Sequence, residues 1–458
     1  MRELVSSNRR LFGTDGVRGV ANVEPMTPET VLRLGAALGV QCRRTVNRRV
    51  RVVIGRDTRR SGEMLGSALA AGLCSSGVDV LLAGVLPTPG VASLTRLLQA
   101  AAGAVVSASH NPFADNGVKI FSARGFKLDD ELESEIERLV HESGTGSPRA
   151  LGSEIGTVSL LDDADDRYRA ALRATLPPDL SLRGMKIVID CAHGAAYRVG
   201  PDLLRDLGTD VVALGVDPNG ENINDAAGAL HPEQLQRMVT AEGAQLGIAL
   251  DGDADRVILV DELGDVVDGD EVLAVIGAAM LEAGTLRNGA VVATVMSNLG
   301  LEKCLRERGG RLVRTAVGDR HVADEMVRSG CNLGGEQSGH LLFTDYATTG
   351  DGLLAALQVM RLMRQRQQPL SRLKTVMVRL PQVLLNVRVQ ERRELDSMPA
   401  LRRTMDRITA ALGDRGRLLV RYSGTEPLLR IMVEGEALDR IQAYAQEIAD
   451  AAQRGAGE

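Results

Sequence analysis

Short apolar runs that alternate with helix-forming segments constrain the fold of this chain more than any other feature. In the first third, the runs VRVVIG, VDVLLAG and GAVVSAS alternate with segments such as TPETVLRLGAALGVQCRRTV, whose apolar residues recur at helical spacing. This alternation is typical of βαβ units and therefore of sheets with parallel strands. The pattern restarts at MKIVIDCAHGAA and again at DEVLAVIGAAMLEAG. Three successive α/β units are therefore predicted.

The last part of the chain has a different pattern. The run LPQVLLNVRVQ is followed by a predicted helix from Arg393 to Leu412, the segment GRLLVRYSGTEPLLRIMVEG and an amphipathic helix, which together predict a smaller β-α-β-β-α unit. A chain of 458 residues also exceeds the size of a single hydrophobic core. The predicted fold is three consecutive α/β mixed-sheet domains and a smaller C-terminal α+β domain around a central cleft. The predicted boundaries are 1–160, 161–262, 263–378 and 379–458.

Composition narrows the class of function. The net charge is −6 without a basic stripe, and tryptophan is absent, which argues against nucleic-acid binding and favours a small polar substrate. The first residues contain no apolar signal-peptide core and no spanning stretch follows, so a cytoplasmic location without a membrane partner is expected. The five scattered cysteines suggest neither a disulfide framework nor a zinc site. Oligomeric state stays open, with a homodimer as the candidate assembly.

A serine before His-Asn-Pro, in VVSASHNPFADNGVKIF, is the first candidate for chemistry. Ser109 follows a buried run, and the ends of such strands carry the ligand-binding loops of α/β folds. His110 and Lys119 lie close enough in sequence to assist proton transfer to or from its hydroxyl. The alternative is a structural turn in which Ser109 and Asn111 only satisfy backbone groups.

Three aspartates at alternate positions, Asp251, Asp253 and Asp255, separate two apolar runs in LGIALDGDADRVILVDELG. Carboxylates this close repel one another unless a cation holds them, and oxygen-only ligation indicates Mg²⁺ or Ca²⁺. An EF-hand is excluded, because Arg256 stands where that loop requires glycine and the flanking segments are strands. A solvated acidic turn is the alternative.

Two glycine-containing loops suggest ligand contacts. LGGEQSGH offers Glu336, Ser338 and His340 to sugar hydroxyls, although such loops are often only turns. RYSGTEPLLR combines hydroxyls, backbone N–H groups and two guanidiniums, which suits a phosphate dianion, or else forms a turn with two surface arginines. Arg18 and Arg56 add cationic loops to the first unit, where salt bridges would explain them equally well.

Together, SASHNP, DGDADR, GEQSGH and RYSGTEPLLR, in this order and spacing, resemble the four signature loops of the α-D-phosphohexomutase superfamily over nearly the whole chain. LFGTDGVRG and Gln337 are similar to the phosphoglucosamine mutase branch of bacteria. The segment NGENINDAAGALHPEQL also resembles that branch, but Asn219, Ala226 and Ala227 depart from its usual pattern, as does His193 elsewhere. These departures lie outside the four loops.

The resemblance implies a reaction and a cofactor. Glucosamine 6-phosphate and glucosamine 1-phosphate would be interconverted through a phosphoserine at Ser109 and a 1,6-bisphosphate, feeding UDP-N-acetylglucosamine and cell-wall precursor synthesis. One Mg²⁺ per active site would be bound by the three aspartates and by the phosphoryl group on Ser109.

The resemblance also implies a role for each remaining candidate residue. The candidates for acid and base are Lys119, His110 and Arg18. The implied sugar contacts are Glu336, Ser338, His340 and Arg256, and the implied phosphate contacts are Arg421, Ser423, Gly424, Thr425 and Arg430.

Two other functions stay open at this level. A phosphomannomutase/phosphoglucomutase of the same fold would act on mannose or glucose phosphates. A metal-dependent sugar-phosphate phosphatase would use the same serine but lose phosphate to water.

Overall fold

A computed structural model describes residues 11–13, 15–44, 49–142, 149–389, 392–423 and 427–455. The chain divides into two compact units, the first made of Met1–Val295 with Val313–Thr375 and the second of Met296–Leu312 with Val376–Glu458. Within the described ranges, no helix has both the length and the apolar character needed to cross a bilayer.

The first sheet of the larger unit has six strands: β1 (Val17–Val20), β2 (Arg51–Arg56), β3 (Asp79–Val85), β4 (Ala102–Val106), β5 (Asp115–Ser122) and β6 (Val158–Leu160). Their order is β1-β5-β4-β2-β3-β6. The four strands from β4 to β6 in this order are parallel neighbours, whereas β5 is antiparallel to both β1 and β4. The accompanying helices are α1 (Pro28–Arg44), α2 (Gly62–Ser75), α3 (Thr88–Leu97) and α4 (Asp130–Glu142). Strand β4 is buried along its whole length, so the loop that follows it leaves the centre of the domain.

The second sheet has five strands: β7 (Lys186–Asp190), β8 (Asp210–Leu214), β9 (Leu246–Leu250), β10 (Val257–Asp261) and β11 (Val266–Val267). The helices here are α5 (Ala164–Arg173), α6 (Val199–Asp206) and α7 (Glu233–Glu242). Strands β9 and β10 are buried antiparallel neighbours, and the aspartate-rich loop connects them as the sequence predicts. Strand β11 pairs with β10 and lies beyond the predicted boundary at residue 262.

The third sheet has four strands, β12 (Ala290–Thr294), β13 (Arg311–Thr315), β14 (Leu333–Gly335) and β15 (Leu341–Phe343), in the order β13-β12-β14-β15. The helices of this part of the chain are α8 (Gly269–Glu282), α9 (Leu299–Glu307), α10 (Asp319–Ser329), α11 (Gly352–Arg366) and α12 (Leu370–Leu373). Helix α8 begins at a capping box, in which Asp268 and Glu271 accept each other's backbone N–H groups. Helix α9 belongs to the second compact unit.

The second unit contains the three-stranded antiparallel sheet β16 (Gln382–Arg388), β17 (Gly416–Tyr422) and β18 (Leu428–Gly435), with β18 in the centre. Its other helices are α13 (Pro399–Leu412) and α14 (Leu438–Gly455). The predicted β-α-β-β-α order is confirmed. The helix predicted from Arg393 starts at Pro399 instead, because proline is favoured in the first turn of a helix, where its missing N–H has no partner to lose.

The predicted fold class is confirmed, since three mixed α/β sheets are followed by a smaller antiparallel sheet with helices. The predicted boundaries at 160, 262 and 378 stay predictions.

Candidate active site

The loop after β4 presents Ser109 in a left-handed backbone conformation, with φ of +51°. That region is unfavourable for a residue with a Cβ, so surrounding contacts must hold it. The N–H of Ser109 donates to Ser107 Oγ at 2.9 Å, and Ser107 Oγ donates to Asp57 at 2.6 Å. The serine side chain is thereby aimed by the peptide group before it.

Arg59 holds the other side of the same loop. Its guanidinium is fully buried and ion-paired to Asp57 at 2.9 Å. It also donates to the carbonyl oxygens of Ser109 and Asn111, each at 2.8 Å, and to that of Pro112. A planar guanidinium has five donors in a fixed fork, enough for these four acceptors, whereas a lysine ammonium has three. Sequence reasoning singled out the neighbouring Arg56 but missed Arg59.

The three aspartates converge as predicted. Asp251, Asp253 and Asp255 are buried, and one carboxylate oxygen from each lies within 4.8 Å of the others. The hydroxyl of Ser109 donates to Asp251 at 2.7 Å, so the serine meets the cluster directly.

Two carboxylate oxygens of this cluster suit a hard divalent cation. Asp253 Oδ1 and Asp255 Oδ1 are buried without a hydrogen-bond partner among the described residues. Burial, together with the carboxylates of Asp255 and Asp253, raises the pKa of Asp251 well above its usual range. Buried polar atoms are normally paired, and a site made only of oxygen atoms favours Mg²⁺ or Ca²⁺. The residues therefore fit a magnesium ion.

Lys119 supplies positive charge to the same cluster. It lies on β5, is buried, and donates to Asp253 at 2.8 Å and to Asp255 at 2.9 Å. Burial alone would lower the pKa of Lys119, but Asp15 and the two cluster aspartates raise it well above its usual value. The Lys119 side chain is therefore an ammonium at neutral pH.

A closed ring of alternating acidic and basic side chains joins three parts of the larger unit. Its bonded pairs run, in order, through Asp255, Lys119, Asp15, Lys127, Asp319 and His340, and back to Asp255. Lys119 lies 3.2 Å from Asp15, and the ring of His340 lies 3.6 Å from both Asp319 and Asp255. Burial alone would raise the pKa of Asp15, but Lys119 and Lys127 hold it well below its usual range. Sequence reasoning missed Asp15, Lys127 and Asp319, whose segments carry no signal that they meet.

The remaining acid/base candidates also lie beside Ser109. His110 Nδ1 is 3.3 Å from Ser109 Oγ, and burial with the nearby Arg256 and Arg18 lowers the pKa of His110 to about 4. Its imidazole is therefore neutral at neutral pH. Arg18 is ion-paired to Asp15 and donates to the carbonyl of Ala108 at 3.4 Å, one residue before the serine.

The predicted sugar-binding loop packs against the aspartate loop. The N–H of Val257 donates to Gly339 O at 3.0 Å, and a Cβ on Gly339 would lie 2.0 Å from Val257 O, so only glycine permits this approach. Within the loop, Ser338 is exposed, whereas the Glu336 carboxylate is buried and accepts from Gly318 N–H at 3.1 Å. The sequence-based sugar role of these two residues stays a prediction.

The other two predicted sugar contacts are placed differently. His340 is buried between Asp255 and Asp319. Its Nε2 accepts from Gly350 N–H at 3.2 Å. Arg256 is half-buried, and its backbone N–H donates to Asp251 at 3.1 Å. Both residues therefore support the aspartate loop. Their predicted sugar contacts stay predictions.

In the second compact unit, Arg421 and Arg430 face each other across β17 and β18. Burial and the nearby charge of Arg430 lower the pKa of Arg421. Like charges held side by side on a strand pair favour a bound anion. Ser423 is buried at the end of β17, and its carbonyl accepts from Arg392 at 2.7 Å. The predicted contacts Gly424 and Thr425 lie outside the described residues.

Sequence models described as phosphoglucomutase/phosphomannomutase match the chain in four stretches: alpha/beta/alpha domain I over residues 9–146, domain II over 166–264, domain III over 268–380 and the C-terminal domain over 384–451.

Curated relatives match along almost the entire chain. A phosphoglucosamine mutase of Syntrophotalea carbinolica is 54% identical over 449 residues, which are 98% of each chain. One of Sorangium cellulosum is 55% identical over 98% of this chain and 94% of its own.

Solved structures agree in fold. A phosphoglucomutase/phosphomannomutase family protein of Burkholderia thailandensis superposes with a TM-score of 0.81 at 25% identity, over 98% of both chains. The N-acetylphosphoglucosamine mutase of Aspergillus fumigatus, solved with GlcNAc-6P and magnesium, has a TM-score of 0.64 at 18% identity over 97% of this chain and 96% of its own. At the latter identity only the fold is supported. The chain belongs to the phosphoglucomutase/phosphomannomutase family, and within it to the phosphoglucosamine mutases.

Proposed function

We propose that this chain interconverts glucosamine 6-phosphate and glucosamine 1-phosphate, with Ser109 as the phosphoryl carrier. The observation that supports this most is the position of the serine hydroxyl, 2.7 Å from Asp251 in a buried cluster of three aspartates. Identity of 54% to a phosphoglucosamine mutase along the whole chain supports the choice of substrate. The product would feed UDP-N-acetylglucosamine and cell-wall precursor synthesis.

The proposed reaction is a pair of phosphoryl transfers. The 1-hydroxyl oxygen of glucosamine 6-phosphate attacks the phosphorus on Ser109, the bond from phosphorus to Oγ breaks, and the hydroxyl proton passes to a base. In the second transfer, Oγ attacks the phosphorus of the 6-phosphoryl group of the resulting 1,6-bisphosphate and the bond from that phosphorus to the 6-oxygen breaks. The 6-oxygen takes up the proton held by the base, which releases glucosamine 1-phosphate. A bound Mg²⁺ would polarise the transferring group and offset its charge.

The side chains around Ser109 divide these tasks. Lys119 is an ammonium, so it stabilises negative charge on the transferring phosphoryl group. Arg18 offers only N–H donors, because a guanidinium has no acceptor atom. His110, neutral and 3.3 Å from Oγ, is the candidate of the three with a free lone pair for the proton. Rate measurements on His110→Ala and Lys119→Ala would separate the two roles.

The second compact unit would contribute phosphate binding. We assign Arg421, Arg430 and Ser423 to a phosphate of the substrate, with Gly424 and Thr425 as further candidates from the same turn. Glu336 and Ser338 are the proposed contacts to sugar hydroxyls. Contacts to a phosphate together with contacts to hydroxyls match the chemistry of a hexose phosphate.

A comparison of substrates tests the proposal. Turnover of glucosamine 6-phosphate should exceed turnover of glucose 6-phosphate and mannose 6-phosphate, with no release of free phosphate. Faster turnover of glucose 6-phosphate or mannose 6-phosphate would instead support the phosphomannomutase/phosphoglucomutase function. Stoichiometric phosphate release would identify a phosphatase.

A further inference from the structure

The segment between β8 and α7, which carries the sequence NGENINDAAGAL, reaches the serine loop through one side chain. Asn224 is buried, and its Nδ2 donates to the carbonyl oxygen of Ser109 at 2.9 Å and to that of Asn111 at 3.2 Å. These are the same two carbonyls that accept from Arg59, each at 2.8 Å. Two donors from distant segments therefore fix the peptide group that follows the serine.

The backbone of Gly252 lies close to this contact. A Cβ built on Gly252, between the first two aspartates of the cluster, would lie 2.6 Å from Ser109 O and 2.8 Å from Asn224 Nδ2. The aspartate loop therefore packs directly over the junction of Asn224 and the serine carbonyl. A displacement of the asparagine side chain would move the serine relative to the aspartates.

The backbone of Asn224 explains why asparagine suits this position. Its φ is +60°, a region that asparagine tolerates better than most residues, and its N–H donates to Ala192 O at 2.9 Å. Aspartate would accept that conformation but has no N–H donors for the two carbonyls. Glycine would accept it without any side chain at all.

We propose that Asn224 is a positioning residue for phosphoryl transfer, which together with Arg59 holds Ser109 Oγ against the aspartate cluster. This inference rests on the proposed role of Ser109 as phosphoryl carrier. Asn224 donates to the carbonyl oxygen of Ser109 and acts through that backbone group. Misplacement of a reacting group by about 1 Å can cost about a hundredfold in rate, whereas substrate affinity depends on other residues.

Asn224→Gly is the main test, because it removes the amide and keeps the left-handed backbone unstrained. We expect kcat to fall by about tenfold to a hundredfold while KM for glucosamine 6-phosphate changes by less than about twofold. Time-resolved mass spectrometry of the dephosphorylated protein with glucosamine 1,6-bisphosphate should show phosphoryl uptake slowed by a similar factor. Asn224→Asp, with nearly the same volume, should show the same pattern and serves if the glycine variant does not fold.

Glu221→Gln is the matched control. Glu221 lies in the same segment and pairs with Arg60 at 2.6 Å, and both side chains are exposed. The Glu221→Gln variant should keep the wild-type kcat. If the Asn224 variants keep wild-type kcat, or lose activity only through KM, the positioning role is overturned, whatever their melting temperatures. Absence of any phosphoryl uptake by the wild-type protein would instead remove the proposed function of Ser109.

Discussion

Ser109, in the loop after β4, is held by hydrogen bonds to its N–H, its carbonyl and its hydroxyl. Its N–H is bonded to Ser107, its carbonyl accepts from Arg59 and Asn224, and its hydroxyl donates to Asp251. A structural turn would leave the hydroxyl to solvent or to a local backbone group. The observed contacts leave the side chain committed to the aspartate cluster.

Replacing Ser109 with alanine should abolish turnover and leave the fold intact. We expect activity below about a thousandth of wild type, because the phosphoryl carrier is lost rather than displaced. Coupled assay of glucosamine 1-phosphate formation measures the rate, and intact mass reports phosphoryl uptake. An alanine variant with substantial turnover would show that another group carries the phosphoryl.

Asp253→Asn should raise the Mg²⁺ requirement. An anionic oxygen becomes a weaker neutral one, and Asp253 also accepts from Lys119 and from Thr88, the latter at 2.6 Å. We expect the Mg²⁺ concentration for half-maximal rate to rise by roughly tenfold or more. Titration of activity with Mg²⁺ checks this. An unchanged dependence of activity on Mg²⁺ would mean that the three aspartates only form a structural turn.

At the scale of elements, the strand pair β17 and β18 brings Arg421 beside Arg430. Arg421→Lys keeps the charge but loses the planar fork that holds two phosphate oxygens. Because hydrogen bonds to charged groups are worth about 1.5–3 kcal/mol, kcat/KM should fall roughly tenfold or more. Steady-state kinetics and thermal unfolding of the same variant check this. Wild-type kinetics with a lower melting temperature would mean that the arginine is structural.

Helix α11 starts at a buried acid whose titration should be visible in stability. Asp351 caps the helix by accepting from Leu354 N–H at 2.9 Å, and it accepts from the hydroxyl of Tyr168 on α5 at 2.8 Å. Burial raises the pKa of Asp351 from 3.8 to about 6. Because the folded protein binds this proton more tightly than the unfolded chain, the stability contribution is full below pH 3.8 and is lost as the pH rises to about 6.

Asp351→Asn should remove this pH dependence. Asparagine can still accept from the helix N–H groups but stays neutral. The difference in unfolding free energy between variant and wild type should therefore grow in favour of asparagine as pH rises, by up to about 3 kcal/mol across the whole window. Urea unfolding at about pH 4.5 and about pH 7 measures most of it. Parallel stability curves for the two proteins would contradict the raised pKa.

The sequence predicts most helices and strands, together with the loops that carry Ser109 and the three aspartates. Their signals lie within short stretches of sequence. Alternating apolar runs mark the strands, and the spacing of Asp251, Asp253 and Asp255 in a short hairpin forces their carboxylates together. The start of α13 at Pro399 was predicted six residues too early, because propensity alone does not resolve a helix from the turn before it. Local signals thus locate an element better than its ends.

At the scale of the whole molecule, the ring of acidic and basic side chains could not be predicted. Asp15, Lys127 and Asp319 lie in loops or at a helix start, and each would pass as an ordinary surface residue in its own segment. Their meeting depends on how the first and third sheets pack, which no local pattern encodes. Arg59 and Asn224 escaped prediction for the same reason, since their partners are backbone carbonyls of a distant loop.

Lys127→Met should expose how much this ring contributes to stability. The substitution leaves Asp15 and Asp319 without the ammonium that lies between them. Breaking a buried ion pair on one side is costly, so unfolding free energy should fall by on the order of 3 kcal/mol. Urea unfolding at neutral pH measures the loss. Adding Asp319→Asn should restore part of it, whereas simple additivity of the two changes would show that the groups do not interact.

Under the proposed function, His340 would couple cation binding to sugar-phosphate binding. Its ring lies 3.6 Å from a metal-cluster carboxylate, Asp255, and its backbone continues the loop that carries Glu336 and Ser338. A sugar phosphate that moved this loop would also alter the geometry that the aspartates offer to a cation, and the reverse would hold equally. By thermodynamic reciprocity, the factor by which a sugar phosphate changes cation affinity must equal the factor by which the cation changes sugar-phosphate affinity. The effect of Mg²⁺ on sugar-phosphate affinity and the effect of the sugar phosphate on Mg²⁺ affinity would then be two measurements of a single coupling energy.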